Sequence, residues 1–342
     1  MQLQQILMRI FASYENERTI SAAFHILQGK RSGTTIQDVG LYRLFDYFGI
    51  LKKLPRHDFD EAVKRMQHDQ MLQVYENGQF TIMENGKRLL QQPFSLYFDG
   101  WHYRGNEHIF FDRLSLVIQT LSYQAAGIKA FAPITRDENV QQFCRKFFMF
   151  HQFPKVKLQQ QLREELLINL QAADLSETQL EILTKRLHGA NVFGFTWSQI
   201  AEQYQLDVLS CQLLYISALH KFISQIEHTG ELLKPLTHGI KVTNVLTESA
   251  QLTADLYMKG RSLEEVANIR RLKLSTIEDH LVEFAMYEPS FSIEQFIAAD
   301  DCHAVIRAAE QMMTKRLKVL KDAVPHLSYF QIKLALTKGG VR

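Results

Sequence analysis

The sequence predicts a mainly α protein with multiple helix-turn-helix units and one small β-hairpin wing near its N-terminus. Three observations predict it. Apolar residues recur at three- and four-residue spacing through most of the chain. The stretch "GRSLEEVANIRRLKLSTIEDHL" at 260–281 joins two short helices across a turn, and "MLQVYENGQFTIMENG" is the one clear departure to a period of two. At 342 residues the chain is long enough for two or three domains with cores of their own. Its 46% hydrophobic and 22% charged residues are those of a soluble globular protein. No apolar run approaches the ~18–20 residues of a membrane span. The opening "MQLQQILMRIFASYENER" lacks a small-residue cleavage site, so no signal peptide is expected. Cys144, Cys211 and Cys302 are odd in number and far apart, which suits a reducing cytoplasm rather than a disulfide framework.

Residues 1–92 read as a winged-helix-like domain. Helices are expected at 3–14, 20–28 and 36–51, the last two separated by the polar turn "GKRSGTT" and the last stopped before Pro55. Asp58, with Glu61 as its reciprocal partner, is expected to cap a fourth helix whose inner face carries Phe59, Ala62, Val63 and Met66. Val74, Phe80 and Ile82 alternate with polar residues around Asn77-Gly78, a strong hairpin signal. Helices, then a hairpin, then "ENGKRLL", is the order of a winged helix.

Residues 93–240 read as a helical middle domain. Its clearest segments are "RLSLVIQTLSYQAAGI", "QQFCRKFFMF", "VKLQQQLREELLINL" and "TQLEILTKRL". A second helix-turn-helix-like unit follows, in which Thr196 caps, Gln199 answers it, and Ile200 and Ala201 face inward. "ELLKPLTHG" at 231–239 reads as the linker to the last domain, residues 241–342. There Leu246, Ala250, Ala254 and Tyr257 mark one helical face ending at Gly260. Ser262 with Glu265, and Ser275 with Glu278, read as capping boxes opening helices packed through Val266 and Ala267 and through Ile277, Leu281 and Phe284. On this reading Glu278 is acidic to serve the cap. A longer helix carries Ile306, Ala309, Met313, Leu317 and Leu320 on one face and ends at Pro325; Ser328 with Gln331 caps a last helix that stops at Gly339-Gly340.

The residues "TADLYMKGRSLEEVANIRRLKLSTIEDHL", "SIEQFI" and "LKVLKDAVPHLSYFQIKLAL" resemble the helix-turn-helix domain at the extreme C-terminus of some bacterial RecQ-family helicases, over roughly 246–338. With "ERTISAAFHILQGKRSGTTIQDVGLYRLFDYFGIL" added, the whole chain looks like the stand-alone YpbB-like proteins of low-GC Gram-positive bacteria. That family is associated with a RecQ-type helicase lacking this tail, so the resemblance implies a helicase accessory role.

Little in the sequence points to catalysis. "GKRSGTT" lacks the upstream glycine and strand context of a phosphate loop, so the chain is not itself a motor. No CxxC, HExxH or EF-hand spacing occurs, and His102, His108 and the adjacent Cys302-His303 are too isolated for zinc. No metal, no cofactor and no nucleophile are expected.

Charge, by contrast, is segregated. Residues 313–342 carry +6 while the whole chain carries +2, and residues 261–286 sum to −1. Arg270, Arg271 and Lys273 precede the second helix of the C-terminal unit, and Ser275, Thr276 and its first amides could hold a phosphate; a solvated turn is the alternative. Lys315, Arg316, Lys318 and Lys321, with Lys333 and Lys338 beyond, form a basic tail, with Lys315 and Lys318 expected on one face. Helix-end cations are also favoured by the dipole alone. "FCRKFFMFHQFPKVK" interleaves bases with Phe, as a single-strand platform or as ordinary core. Lys64 and Arg65 lie on the expected recognition helix of the winged helix, and Lys87 and Arg88 follow the wing, to meet DNA or a protein.

The reading is a non-enzymatic, cytoplasmic or nucleoid-associated DNA-binding accessory factor of a RecQ-type helicase in recombination or repair, with forked or single-stranded DNA as ligand and no membrane contact. A sequence-specific transcription regulator and a protein-docking adaptor without DNA contact are the alternatives. The second helix of the C-terminal unit offers no Arg, Asn or Gln in its first two turns, which disfavours the regulator.

Overall fold

The computed structural model describes residues 2–14, 16–151, 156–242, 246–288 and 290–339. Its elements are helices apart from one two-stranded hairpin, among the described residues. The chain forms two compact units, one of Met1–Leu3 with Pro93–Thr243 and one of Gln4–Gln92 with Asn244–Arg342. The N-terminal and C-terminal segments, expected as separate domains, thus fall in one unit.

The N-terminal segment holds α1 (Gln2–Ser13), α2 (Ile20–Gln28), α3 (Gly33–Leu41), α4 (Arg56–His68), β1 (Leu72–Val74), β2 (Phe80–Ile82) and α5 (Glu84–Gln91). Phe59, Val63 and Met66 bury the inner face of α4 as their spacing predicts. The hairpin pairs Leu72 with Ile82 and Val74 with Phe80, turning at Gly78 with φ +77°. Phe80 packs on Phe11 of α1 at 4.7 Å between rings.

Two expectations for this segment fail. Pro55, not Asp58, precedes α4; its fixed φ suits the position, and Asp58 sits inside the first turn facing the positive helix end. The single helix expected over 36–51 is also absent. Ser32 accepts from the Thr35 amide and opens α3 inside the expected polar turn, α3 ends at Leu41, and Arg43 turns at φ +55°. Beyond it the chain serves α2 instead: the amides of Gly49 and Leu51 donate to the carbonyls of Ile26 and Leu27 at 2.8 and 2.9 Å. The approach is close enough that a Cβ on Gly29 would lie 2.8 Å from the Gly49 Cα.

The middle unit holds α6 (Gly100–Tyr103), α7 (Glu107–Ala125), α8 (Glu138–Phe150), α9 (Val156–Ala172), α10 (Glu177–Lys185), α11 (Trp197–Tyr204) and α12 (Val208–Thr229). α12 is its spine, packed by α7, α9, α10 and α11. Thr196 and Gln199 form the expected reciprocal cap on α11, Ile200 and Ala201 are buried, and Asp207 caps α12. The two helices meet at 99°, within the range of a helix-turn-helix. No single helix among the described residues is long and apolar enough to cross a membrane.

The stretch 231–239 is not a loose linker. Leu233, Leu236 and Ile240 are fully buried, and the Glu165 carboxylate of α9 accepts from the amides of Glu231, Leu232 and Leu233 at 2.8–2.9 Å. Arg113 donates to the carbonyls of Leu236 and His238 at 2.9 and 2.7 Å. Pro235 and Gly239 made the stretch look loose in sequence; a short 3-10 turn at Lys234–Thr237 takes in Pro235, and Gly239 turns beyond it at φ +72°.

The C-terminal segment holds α13 (Glu248–Met258), α14 (Leu263–Arg270), α15 (Leu274–Tyr287), α16 (Ala299–Gln311), α17 (Leu317–Ala323) and α18 (Tyr329–Gly339). The reciprocal caps of Ser262 with Glu265 and of Ser328 with Gln331 both form. The long helix expected to run through Met313 is two helices. Met313 turns at φ +47° and is 79% exposed, so it leaves the apolar stripe whose other end, Leu320, is fully buried. Gly340 lies outside the described residues.

Candidate nucleic-acid interface

α14 and α15 are the two helices of the C-terminal helix-turn-helix. Val266, Ala267 and Ile277 form its core, with Leu256, Leu263 and Leu272 around them. α14 ends at Arg271 with φ +52°, and the Leu272 amide returns to the Ala267 carbonyl at 3.0 Å. This tight close lets the chain enter α15 at Leu274, earlier than expected. Lys273 therefore occupies the cap position and provides no side-chain acceptor, and the expected box of Ser275 with Glu278 does not form. Ser275 lies in the first turn and Glu278 in the second.

The acids of α15 have another use. Asp279 receives the Lys333 ammonium of α18 at 2.6 Å and the Gln37 amide of α3 at 3.3 Å. Glu278 is half-buried, and burial, with Asp279 beside it, raises its carboxyl above the usual range against the pull of Lys333. Glu283, deeply buried, accepts from the Thr247 hydroxyl at 3.2 Å. α3 covers the same helix: the Tyr287 hydroxyl donates to the Ile36 carbonyl at 2.7 Å, and Gly40 admits the Met286 sulfur so closely that a Cβ there would lie 2.7 Å from it. With α13, α14, α18 and α3 all against it, α15 is buried or half-buried from Ile277 to Tyr287, although the Asp279 side chain stays 43% exposed. What remains open is Arg271, Lys273, Leu274 and Ser275, with Thr276 half-buried.

The structure therefore divides the predicted site residues. Arg271, Lys273, Ser275 and Thr276 are together at one turn. Arg270 is turned inward, donating to the Ser249 hydroxyl at 3.0 Å and to the Ser249 carbonyl and Thr253 hydroxyl, and burial lowers its pKa. The basic tail is not one stripe. Lys315 precedes α17, donates to the Leu41 carbonyl at 2.9 Å and lies over the Tyr42 ring at 5.0 Å. Lys321 donates to the Pro325 carbonyl at 2.8 Å and to that of Leu327, and Lys338 to Phe291 at 3.1 Å. Lys318 and Arg316 are exposed, the latter reaching the Asn16 carbonyl at 2.9 Å. Arg342 lies outside the described residues.

On α4, Lys64 pairs with Glu61 at 2.9 Å and Arg65 is exposed; Lys87 and Arg88 are exposed on α5. In α8, Phe147 is buried and Phe143 lies beneath the Arg113 guanidinium at 4.0 Å, so these two rings of the expected platform are packed, while Phe150 is exposed and Phe153 lies outside the described residues. Pro154 and Lys155 lie outside the described residues. Sequence reading missed the part played by α3, whose only signal was the close spacing of Ile36, Gln37 and Gly40, and the exposed Ile269 and Leu274 flanking the turn. No group of three or more His, Cys, Asp or Glu that could hold a metal occurs among the described residues. Burial pushes the Cys144 thiol up to about 12, so it is not poised as a nucleophile.

His280 ties this domain to pH. Its Nδ1 lies 2.8 Å from the Thr253 hydroxyl, and burial, then the Arg270 charge, lower its pKa from 6.5. The unfolded chain therefore binds a proton that the folded one does not, in the window from pH 6.5 down to the lowered value. Stability should be full above that window and fall as the pH drops through it. Urea denaturation at several pH values checks this. A His280→Gln variant should show a flatter acid limb, although His25 and His151, also lowered by burial, keep part of the slope. An unchanged limb would rule out the His280 contribution.

A family model described as "Helix-turn-helix domain" matches residues 249–336, which run from α13 to α18. "Protein YpbB" of Bacillus subtilis (strain 168) is 31% identical over 330 residues, covering 94% of this chain and 93% of the relative. No solved structure matches.

Proposed function

The chain belongs to the family of Protein YpbB, and from that premise we propose a DNA-binding accessory protein of a RecQ-type helicase, acting in recombination and repair without catalysis of its own. The helix-turn-helix domain points to DNA binding. One observation carries the finer reading: α15 exposes only its first turn, where Arg271, Lys273 and Ser275 stand together. A helix that opens through Leu274, Ser275 and the half-buried Thr276 offers the major groove no Arg, Asn or Gln there to pair with base edges. Its open end suits phosphates, which the amides of an uncapped first turn and two cations can bind. Such contacts carry no sequence information, which supports an accessory factor on forked or single-stranded DNA over a transcription regulator. The N-terminal hairpin, with Lys64 and Arg65 on α4, would act as a winged helix and add a second surface in the same unit.

Arg271→Glu with Lys273→Glu tests this. The pair should weaken binding to duplex and forked DNA alike on every sequence, and should lower the slope of log K against log salt by about 1.8, roughly 0.9 for each lost phosphate contact. Weakening on one sequence only would favour the regulator. The second reading, a protein-docking adaptor, is favoured by the way α3 already fills the outer face of α15. If the variant binds DNA like the parent and the parent still captures a helicase from host cells, that reading replaces ours.

A further inference from the structure

The geometry points to a second nucleic-acid site on the middle unit: the outer face of α8, built to stack and neutralise single-stranded DNA. Gln142, Arg145, Lys146, Met149 and Phe150 are all exposed there, at the three- and four-residue intervals of one helical face. Phe150 is 82% exposed and Met149 77%. The opposite face is fully used, with Val140, Cys144 and Phe147 buried against α7. The exposed ring is therefore not a core residue left over at a ragged edge.

Charge selects the partner. From Asn139 through Arg163 the sequence has no acid, and Asp137 and Glu138 sit at the far end of α8, about 10 Å or more along the axis from Arg145 at 1.5 Å per residue. Arg145 makes one long bond of 3.5 Å to Gln141, so its charge faces solvent. The helix dipole accounts for cations near a C-terminus, but not for two large apolar side chains beside them. Cations flanking a solvent-facing aromatic are the chemistry of a single strand, whose bases offer π-faces and whose backbone offers phosphates. A lipid surface fits less well, because a membrane-binding helix needs a broad apolar face and α8 shows two residues.

The assignment rests on the DNA-binding reading for its ligand class, yet uses none of the same residues, so the two are separable. The test uses the full chain and labelled oligothymidine, with duplex DNA and anionic phospholipid vesicles as parallel probes. Phe150→Ala, at so exposed a position, should leave the fold intact and weaken oligothymidine binding roughly 5- to 150-fold. Phe150→Trp should retain binding. Arg145→Glu with Lys146→Glu should flatten the single-strand salt slope by about 1.4. Duplex binding should be untouched by all three and weakened in the Arg271→Glu, Lys273→Glu pair. Oligothymidine bound equally by the parent and Phe150→Ala overturns this site while leaving the α15 contacts standing. Vesicle binding that depends on Phe150, with no binding of oligothymidine, overturns it too.

Discussion

Glu165→Ala is expected to lower the stability of the middle unit by about 2–4 kcal/mol, and its melting temperature by roughly 5–15 °C. One carboxylate accepts three successive backbone amides, Oε1 from Glu231 and Leu233 and Oε2 from Leu232, all within 2.8–2.9 Å. Charge-assisted bonds of this kind contribute about 1.5–3 kcal/mol each, but Glu231 is exposed and water can replace part of the loss. The Leu233 amide has less access to water, since Leu233 is fully buried, and it bears most of the cost. Glu165→Gln separates the acceptor from the charge: its oxygen can keep two amides, while its NH2 would face the third. An intermediate loss is expected, read by thermal denaturation with hydrogen exchange across 231–240. Unchanged protection of those amides in Glu165→Ala would sink the idea.

That carboxylate also shows where sequence reading stopped. Helices with their own caps and stripes were legible. Thr196 with Gln199, Ser262 with Glu265 and Ser328 with Gln331 pair as their spacing dictates. Asp58 with Glu61 and Ser275 with Glu278 do not, because those helices start earlier, after Pro55 and Lys273. The hairpin at Asn77-Gly78 was legible as well. Segments whose amides are satisfied from far away were not. Pro235 and Gly239 suggest a linker only if Glu165, more than sixty residues upstream, is ignored. Residues 42–51 look helical until the carbonyls of Ile26 and Leu27 claim Gly49 and Leu51. The site followed the same rule. Arg271, Lys273 and Ser275 were visible because a turn is local, whereas the sheathing of α15 needs α3, some 240 residues away. Asp279 reads as an acid hostile to DNA, yet its charge is spent on Lys333.

Glu17→Ala should cost the other unit about 2–4 kcal/mol and loosen the joint between its two chain segments. The Glu17 carboxylate accepts from the Lys315 amide at 2.8 and 3.0 Å, from the Tyr42 hydroxyl at 2.8 Å and from the Thr314 hydroxyl. It therefore holds the turn between α16 and α17 against the end of α3, where Lys315 in turn reaches the Leu41 carbonyl. This joint is why the basic tail cannot be treated as a set of independent surface charges. A Glu at position 315 would place a carboxylate beside Glu17 and over the Tyr42 ring, and would unfold before it reported on DNA. Lys318 is a tail position whose charge can be reversed with the fold kept, since it is exposed, whereas Arg316, though exposed, reaches the Asn16 carbonyl across the joint. In Glu17→Ala the Lys315 amide should exchange quickly, and the pair of segments should melt earlier than in the parent. Binding through Arg271 and Lys273 should survive at temperatures where the unit stays folded, because neither residue touches the joint. Slow exchange at Lys315 in that variant would mean the turn is held by α16 and α17 alone.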